Sequence, residues 1–158
     1  MDTIDLVRSG QEYLTFRLGA EHYGVDILSV KEIRGWTIPT LIPNSPRYVL
    51  GVINIRGIII PVIDLRLKFA VGEASYSDST VIIVLSQKNK SGERMMGFVV
   101  DAASDVRHAN PGDIQTSAVL GGFLPPEMIR GMLNVENDVV TLLMTKQLLT
   151  LENDENDC

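Results

Sequence analysis

The sequence predicts a small all-β fold, a barrel or a sandwich. Two observations carry this: the chain holds many short β-branched or alternating apolar runs, and turn residues separate nearly all of them, leaving little that reads as helix. A barrel also hides strand edges, which matters where strands are this apolar. At 158 residues the chain suits one domain with a sizeable core, and its 45% hydrophobic content is ordinary for a globular protein.

Taken in order, residues 12–18 alternate: Tyr13, Thr15 and Arg17 against Leu14, Phe16 and Leu18, the pattern of a half-buried strand. Gly19-Ala20-Glu21 turns the chain into a second strand at 22–25. Asp26 caps a short helix that runs into Ser29-Val30-Lys31-Glu32, although β-branched Val30 and Ile33 suit a strand equally. Residues 36–46 hold Pro39, Pro43 and Pro46 and form a loop. Ser45-Pro46 then starts one helical turn through Tyr48 and Leu50.

Residues 51–69, GVINIRGIIIPVIDLRLKF, are the most informative stretch. They read as two apolar strands joined at a tight corner, Arg56-Gly57, with Asp64 and Arg66 closing the second. Proline donates no ladder hydrogen bond, so Pro61 marks an edge, a bulge or a bent barrel strand. An arginine at a rigid hairpin tip is well placed to meet another protein. Residues 71–79 are a polar connector, 80–85 a buried strand, 87–94 a charged loop and 95–101 the partner strand. Short strands at 105–108 and 114–116 flank the Asn110-Pro111-Gly112 turn. Residues 128–135 and 138–144 make a last hairpin across Glu136-Asn137, and 145–151 a closing helix capped by Thr145. The expected organisation is a flexible N-terminus at 1–9, one domain at 10–150 and an acidic flexible tail, ending in ENDENDC, at 151–158.

Charge and chemistry narrow the function. A net charge of −6 and a pI of about 4.8 argue against nucleic-acid binding, which favours a basic face. The single cysteine, Cys158, forms no internal disulfide, and neighbouring carboxylates make it a poor nucleophile. With neither a signal-peptide pattern nor an apolar run near the ~20 residues that span a bilayer, a cytoplasmic location is expected. His22 and His108 lack a second ligand at i+3 or i+4, and no phosphate-binding glycine loop occurs; Gly121-Gly122 reads as a hinge. Val62-Ile63-Asp64 and Val99-Val100-Asp101 resemble the start of an aspartic-protease motif but lack its Thr/Ser-Gly continuation. Asp64 is therefore expected to pair with Arg66 or Arg56, and Asp101 to begin a turn with Ser104. An acid/base enzyme using these two aspartates is the disfavoured alternative. A binding module mixes apolar and charged exposed groups, which Val30, Glu32, Arg34, Arg56 and Ile59 do. Glu32 and Arg56 are either salt-bridged to each other or each offered to a partner.

GVINIRGIIIPVIDLR at 51–66 resembles the signature of the CheW family, the adaptor of bacterial chemotaxis. Residues 10–35, SDSTVIIVL at 77–85 and MGFVVDAASDV at 96–106 resemble further parts of it, so the likeness runs from about 10 to 149. The resemblance implies two intertwined SH3-like barrels with a few short helices, and a non-catalytic adaptor without cofactor or metal. It implies that the cytoplasmic tip of chemoreceptors binds in a groove between the barrels, on Val30, Glu32, Arg56 and Ile59. It also implies a contact with the histidine kinase CheA near 114–120. Gln115-Thr116 stand where an Arg-Pro pair is common, so this contact is assigned to Gln115, Leu120 and Phe123. Other CheW copies are further implied partners, and membrane association would come only through receptor arrays. A CheW-like scaffold in a pilus or surface-sensing pathway is the alternative within the family.

Overall fold

The structure is a computed structural model that describes residues 11–116 and 124–151. Its first strands are β1 (Gln11–Leu18), β2 (Glu21–Asp26), β3 (Val30–Gly35), β4 (Val49–Ile55) and β5 (Ile58–Asp64), followed by helix α1 (Leu65–Phe69). Then come β6 (Val81–Asn89), β7 (Gly92–Val100), β8 (Ala102–Ala109), β9 (Ile114–Gln115), β10 (Ile129–Val135), β11 (Asp138–Leu143) and helix α2 (Thr145–Leu148). One sheet runs β8-β1-β2-β11-β10-β9 and the other β3-β6-β7-β5-β4. The six-stranded sheet thus joins the first strands to the last, while β3 to β7 build the five-stranded sheet. A parallel pairing of β2 with β11 closes the first set, and one of β5 with β7 the second.

Three apolar clusters explain this arrangement. Tyr13, Ala109, Leu133, Val140 and Leu142 fill the six-stranded unit; Ile53, Ile55, Ile60, Val62, Ile82, Val84 and Val99 fill the five-stranded one. The largest cluster, including Leu14, Phe16, Leu18, Ile83, Leu85, Met96 and Phe98, lies between them. Successive strand residues point to opposite faces. In β6, Ile82 and Val84 therefore enter one core while Ile83 and Leu85 enter the shared one. The alternation of residues 12–18 has the same cause. Tyr13 and Thr15 are buried as well as Leu14, Phe16 and Leu18, so β1 alternates between two interiors and is not the half-buried strand expected.

Several local expectations hold. Asp26 caps a three-residue 3-10 turn, its Oδ1 accepting the Leu28 N–H at 2.9 Å, and the chain then enters β3. Pro61 sits where β5 faces only β4, since pairing with β7 begins at Val62. Others are corrected. Residues 87–94 are not a loop: the β6–β7 ladder continues to Asn89 opposite Gly92, because a two-stranded ribbon presents charged side chains to water as readily as a loop does. No helical turn spans Ser45 to Leu50; one Val49 N–H to Pro46 C=O bond closes a turn, and burial of Tyr48 and Val49 starts β4. Thr145 does not cap α2, whose N-cap position is Met144; its hydroxyl meets Ser29 Oγ at 3.1 Å instead. Gly51, at φ +146°, is required where a Cβ would collide with the Thr40 carbonyl, whose loop bridges to Val52.

Candidate partner-binding surface

The corner between β4 and β5 is a two-residue turn. Arg56 (φ 49°) and Gly57 (φ 90°) both occupy positive φ, as a type I′ hairpin requires. Glycine accepts this freely, whereas an arginine Cβ does not. Asn54 supports the turn, its Oδ1 accepting the Gly57 N–H at 2.8 Å. The local sequence thus holds a long cationic side chain at the tip in a costly backbone conformation, and such strain clusters at functional positions.

Arg56 does not stand alone. Its Nη2 donates to Glu32 Oε1 at 2.8 Å, with Arg34 Nε 3.8 Å from the other carboxylate oxygen. β3 and β4 are the two edges of the five-stranded sheet, so this pair links one edge to the corner that follows the other. Of the residues expected to meet a receptor, the structure brings Glu32 and Arg56 together. Val30 lies two residues before Glu32, half-buried against the shared core, with a bulge between them. Ile59 is 60% exposed, directly opposite Asn54 on the same hairpin. Beside it Ile58 is 51% exposed, so the hairpin presents apolar side chains next to its charge. Gln115 is exposed on β9, an edge strand of the other sheet. Leu120, Phe123, Gly121 and Gly122 lie outside the described residues.

The two aspartates of the disfavoured enzyme reading have a structural task. Arg66 is fully buried; its Nε and Nη2 bond Asp64 Oδ1 and Oδ2, each at 3.0 Å, and its Nη1 bonds Asp101 Oδ1 at 2.8 Å and the Ser75 carbonyl at 2.7 Å. Asp64 is the partner of Arg66 and not of Arg56. Asp101 does not begin a turn with Ser104; its Oδ2 accepts the Gly19 N–H at 2.6 Å. Asp64 also accepts the Arg66 N–H, which starts α1, a helix that the sequence reading missed. Burial alone would lower the Arg66 pKa, but hydrogen bonding and charge from Asp64, then Asp101, raise it. Both carboxylates thus converge on one guanidinium, which they bracket from two sides. Tyr76 completes the bracket, donating to Asp64 Oδ2 at 2.8 Å and stacking on Trp36 at 4.2 Å. Burial, then the hydrogen bond and charge of Asp64, push its pKa up to about 12.

Between the sheets lies a cleft of about 720 Å³, reached by Val30 and Lys31 of β3, Lys88 of β6 and Lys146 of α2. Lys31 Nζ pairs there with Glu93 at 3.0 Å, holding that carboxyl below its usual range. Among the described residues, no three His, Cys, Asp or Glu side chains gather as metal ligands, and no helix is long and apolar enough to cross a membrane. Of the two alternatives open for Glu32 and Arg56, the structure shows the salt bridge; the bulge in β3 escapes sequence reading, and the unusual Arg-Gly turn pair was the signal that did show.

Comparison with known proteins agrees with this geometry. The model of the CheW-like domain matches residues 12–153. Chemotaxis protein CheW of Klebsiella aerogenes is 42% identical over 143 residues, covering 90% of this chain and 84% of that protein. Chemotaxis protein CheW of Rhizobium meliloti is 35% identical over 150 residues, covering 95% and 94%. Among solved structures, the scaffolding protein TtCheW from Thermoanaerobacter tengcongensis matches with a TM-score of 0.74 at 28% identity, over 85% of this chain and 84% of that one. The fold is thus the all-β pair of intertwined SH3-like barrels seen above as two curled sheets on a shared core. The chain belongs to the CheW family of non-catalytic chemotaxis coupling proteins.

Proposed function

We propose that the chain is an adaptor that couples chemoreceptors, the methyl-accepting chemotaxis proteins, to the histidine kinase CheA. Val30, Glu32, Arg56 and Ile59 would meet the receptor's cytoplasmic tip; Gln115, with Leu120 and Phe123, would meet the kinase. The observation that carries the receptor side is the Arg56-Gly57 corner. Its arginine is 77% exposed, held at positive φ, and set beside Glu32 and exposed isoleucines. A binding surface with an arginine anchor and apolar neighbours has this composition. Two candidate surfaces on different sheets, with Asp101 bonding both the β1–β2 turn and Arg66, suit a scaffold that passes conformational bias from one partner to another. Such a protein needs no cofactor, works in the cytoplasm and reaches the membrane only through its receptors.

The test is a pull-down with CheA and a receptor cytoplasmic fragment. Wild type should capture both. Arg56→Glu should lose receptor and keep kinase. A Glu32→Arg/Arg56→Glu exchange restores the internal ion pair but presents reversed charges, and it should remain receptor-blind. Gln115→Glu should weaken kinase capture alone. Wild type binding neither partner would overturn the proposal.

A further inference from the structure

The charge of the chain is unevenly placed. Residues 30–100, from the start of β3 to the end of β7, hold nine of the fourteen lysines and arginines but only five of the twenty aspartates and glutamates. Three of those five are taken: Asp64 by Arg66, Glu32 by Arg56 and Glu93 by Lys31. The five-stranded unit is thus cationic in a chain whose net charge is −6.

The same unit exposes apolar side chains on a fixed support. Among the described residues, ten large apolar side chains are exposed, and five of them, Ile38, Leu41, Ile42, Ile58 and Ile59, sit on the β4–β5 corner or on the proline loop beside it. Ile38 and Leu41 are 85% and 80% exposed. The loop that carries them is pinned. Thr40 exchanges two backbone bonds of 2.9 Å with Val52, Pro39 is buried, and Gly51 leaves room for the Thr40 carbonyl. Residues that are paired, or two apart in one strand, share a sheet face. Val52 lies opposite Pro61 and Asn54 opposite Ile59, so Thr40 continues the face that carries Ile59. Because Thr40 turns its backbone groups to Val52, those of Pro39 and Leu41 point away, and Pro39 has no N–H. Such an edge resists strand addition, so a partner meets side chains there. Arg47, one residue beyond the loop, is exposed and forms no ion pair among the described residues.

We propose that the receptor surface extends over this loop. Ile38 and Leu41 take apolar side chains, and Arg47 a carboxylate, of an acidic receptor segment that docks by its side chains and not as an added strand. This assignment rests on the receptor reading above and adds three residues to it. A loop already fixed loses little freedom on binding, and a cationic surface favours an acidic partner.

The test is calorimetric titration with the receptor cytoplasmic fragment, with kinase capture followed in parallel. Ile38→Ser/Leu41→Ser should weaken receptor binding about tenfold or more through the loss of two apolar contacts. Its urea midpoint and kinase capture should stay at wild-type values, since both side chains already lie in water in the free chain. Arg47→Gln should weaken receptor binding less, and should flatten the fall in affinity between about 0.1 M and about 1 M salt. Should the double variant fold poorly, Arg47→Gln alone decides. Unchanged affinity in the double variant, or an unchanged salt dependence in Arg47→Gln, while Arg56→Glu still loses receptor, would overturn the extension and leave the Arg56 surface standing. A wild type that binds no receptor would overturn the receptor reading and the extension with it. Loss of a dimer in sedimentation of the double variant, in place of receptor affinity, would give the face to a second copy and overturn the extension equally.

Discussion

Two arginines ten positions apart, Arg56 and Arg66, both grip carboxylates, and they do opposite things. Arg56 meets Glu32 at a hairpin tip in water. Arg66 meets Asp64 and Asp101 with its side chain at 0% exposure. An exposed pair contributes at most about 1 kcal/mol, because water and salt screen it and two side chains lose freedom. A buried pair is costly to assemble and costlier to break, since removing one partner strands the other charge in a poor dielectric. Similar chemistry thus leaves a replaceable surface pair in one place and makes a structural bracket in the other. Burial, not ion pairing, decides which.

The comparison breaks most visibly at Arg66. Arg66→Met should cost about 3–5 kcal/mol, read from the urea midpoint, because Asp64 and Asp101 lose their counterion. Arg66→Lys should not rescue fully. An ammonium cannot reproduce the two bonds to Asp64 while also reaching Asp101 and the Ser75 carbonyl. A loss below about 1 kcal/mol for the methionine variant would mean that burial does not separate the two arginines.

Tyr76 sharpens the same contrast from the rim of the bracket. Tyr76→Phe removes the hydrogen bond to Asp64 and should cost about 1 kcal/mol at neutral pH. Its folded pKa lies above the ordinary 10.0, at about 12, so the contribution is whole below pH 10 and is lost as pH rises toward 12. Tyr13 and Tyr23 are raised too, mainly by burial, so wild type and variant will both weaken in alkali. The gap between their stability curves should nonetheless close between pH 10 and 12. A gap that stays constant would mean that Tyr76 stabilises through its stack on Trp36 and not through its hydroxyl.

These two regions were unequally legible in the sequence. The hairpin at 51–64 was readable because period, turn pair and breaker coincide in one short stretch. So was the Asp64–Arg66 pairing, whose members are two residues apart. The role of Asp101 was not: it comes from 35 residues away and depends on how β7 passes the β1–β2 turn. The burial of β1 on both faces was hidden for a related reason. Threonine and tyrosine at alternate positions signal water in a single sheet, but here the second face meets another core. The extended β6–β7 ribbon was hidden by its polarity. For the candidate surface, residue types were legible and the Glu32–Arg56 bridge stood as one of two alternatives; the choice between them was not legible, since β3 and β4 lie at opposite edges of the sheet order.

The smallest expected effect is the most discriminating. Arg56→Asn gives the turn Asn-Gly, the pair that type I′ hairpins favour, and so relieves the penalty of a bulky side chain at φ 49°. It also removes the ion pair to Glu32, worth at most about 1 kcal/mol at this exposure. The two terms oppose, so the urea midpoint should stay within about 0.5 kcal/mol of wild type or rise slightly. Receptor capture, if Arg56 is its anchor, should fall sharply in the same protein. A stability loss well above 1 kcal/mol would show that the Glu32–Arg56 bridge holds the sheet edges together. Arg56 would then belong with Arg66 as a folding residue, and its weak backbone conformation would need a structural explanation instead of a functional one.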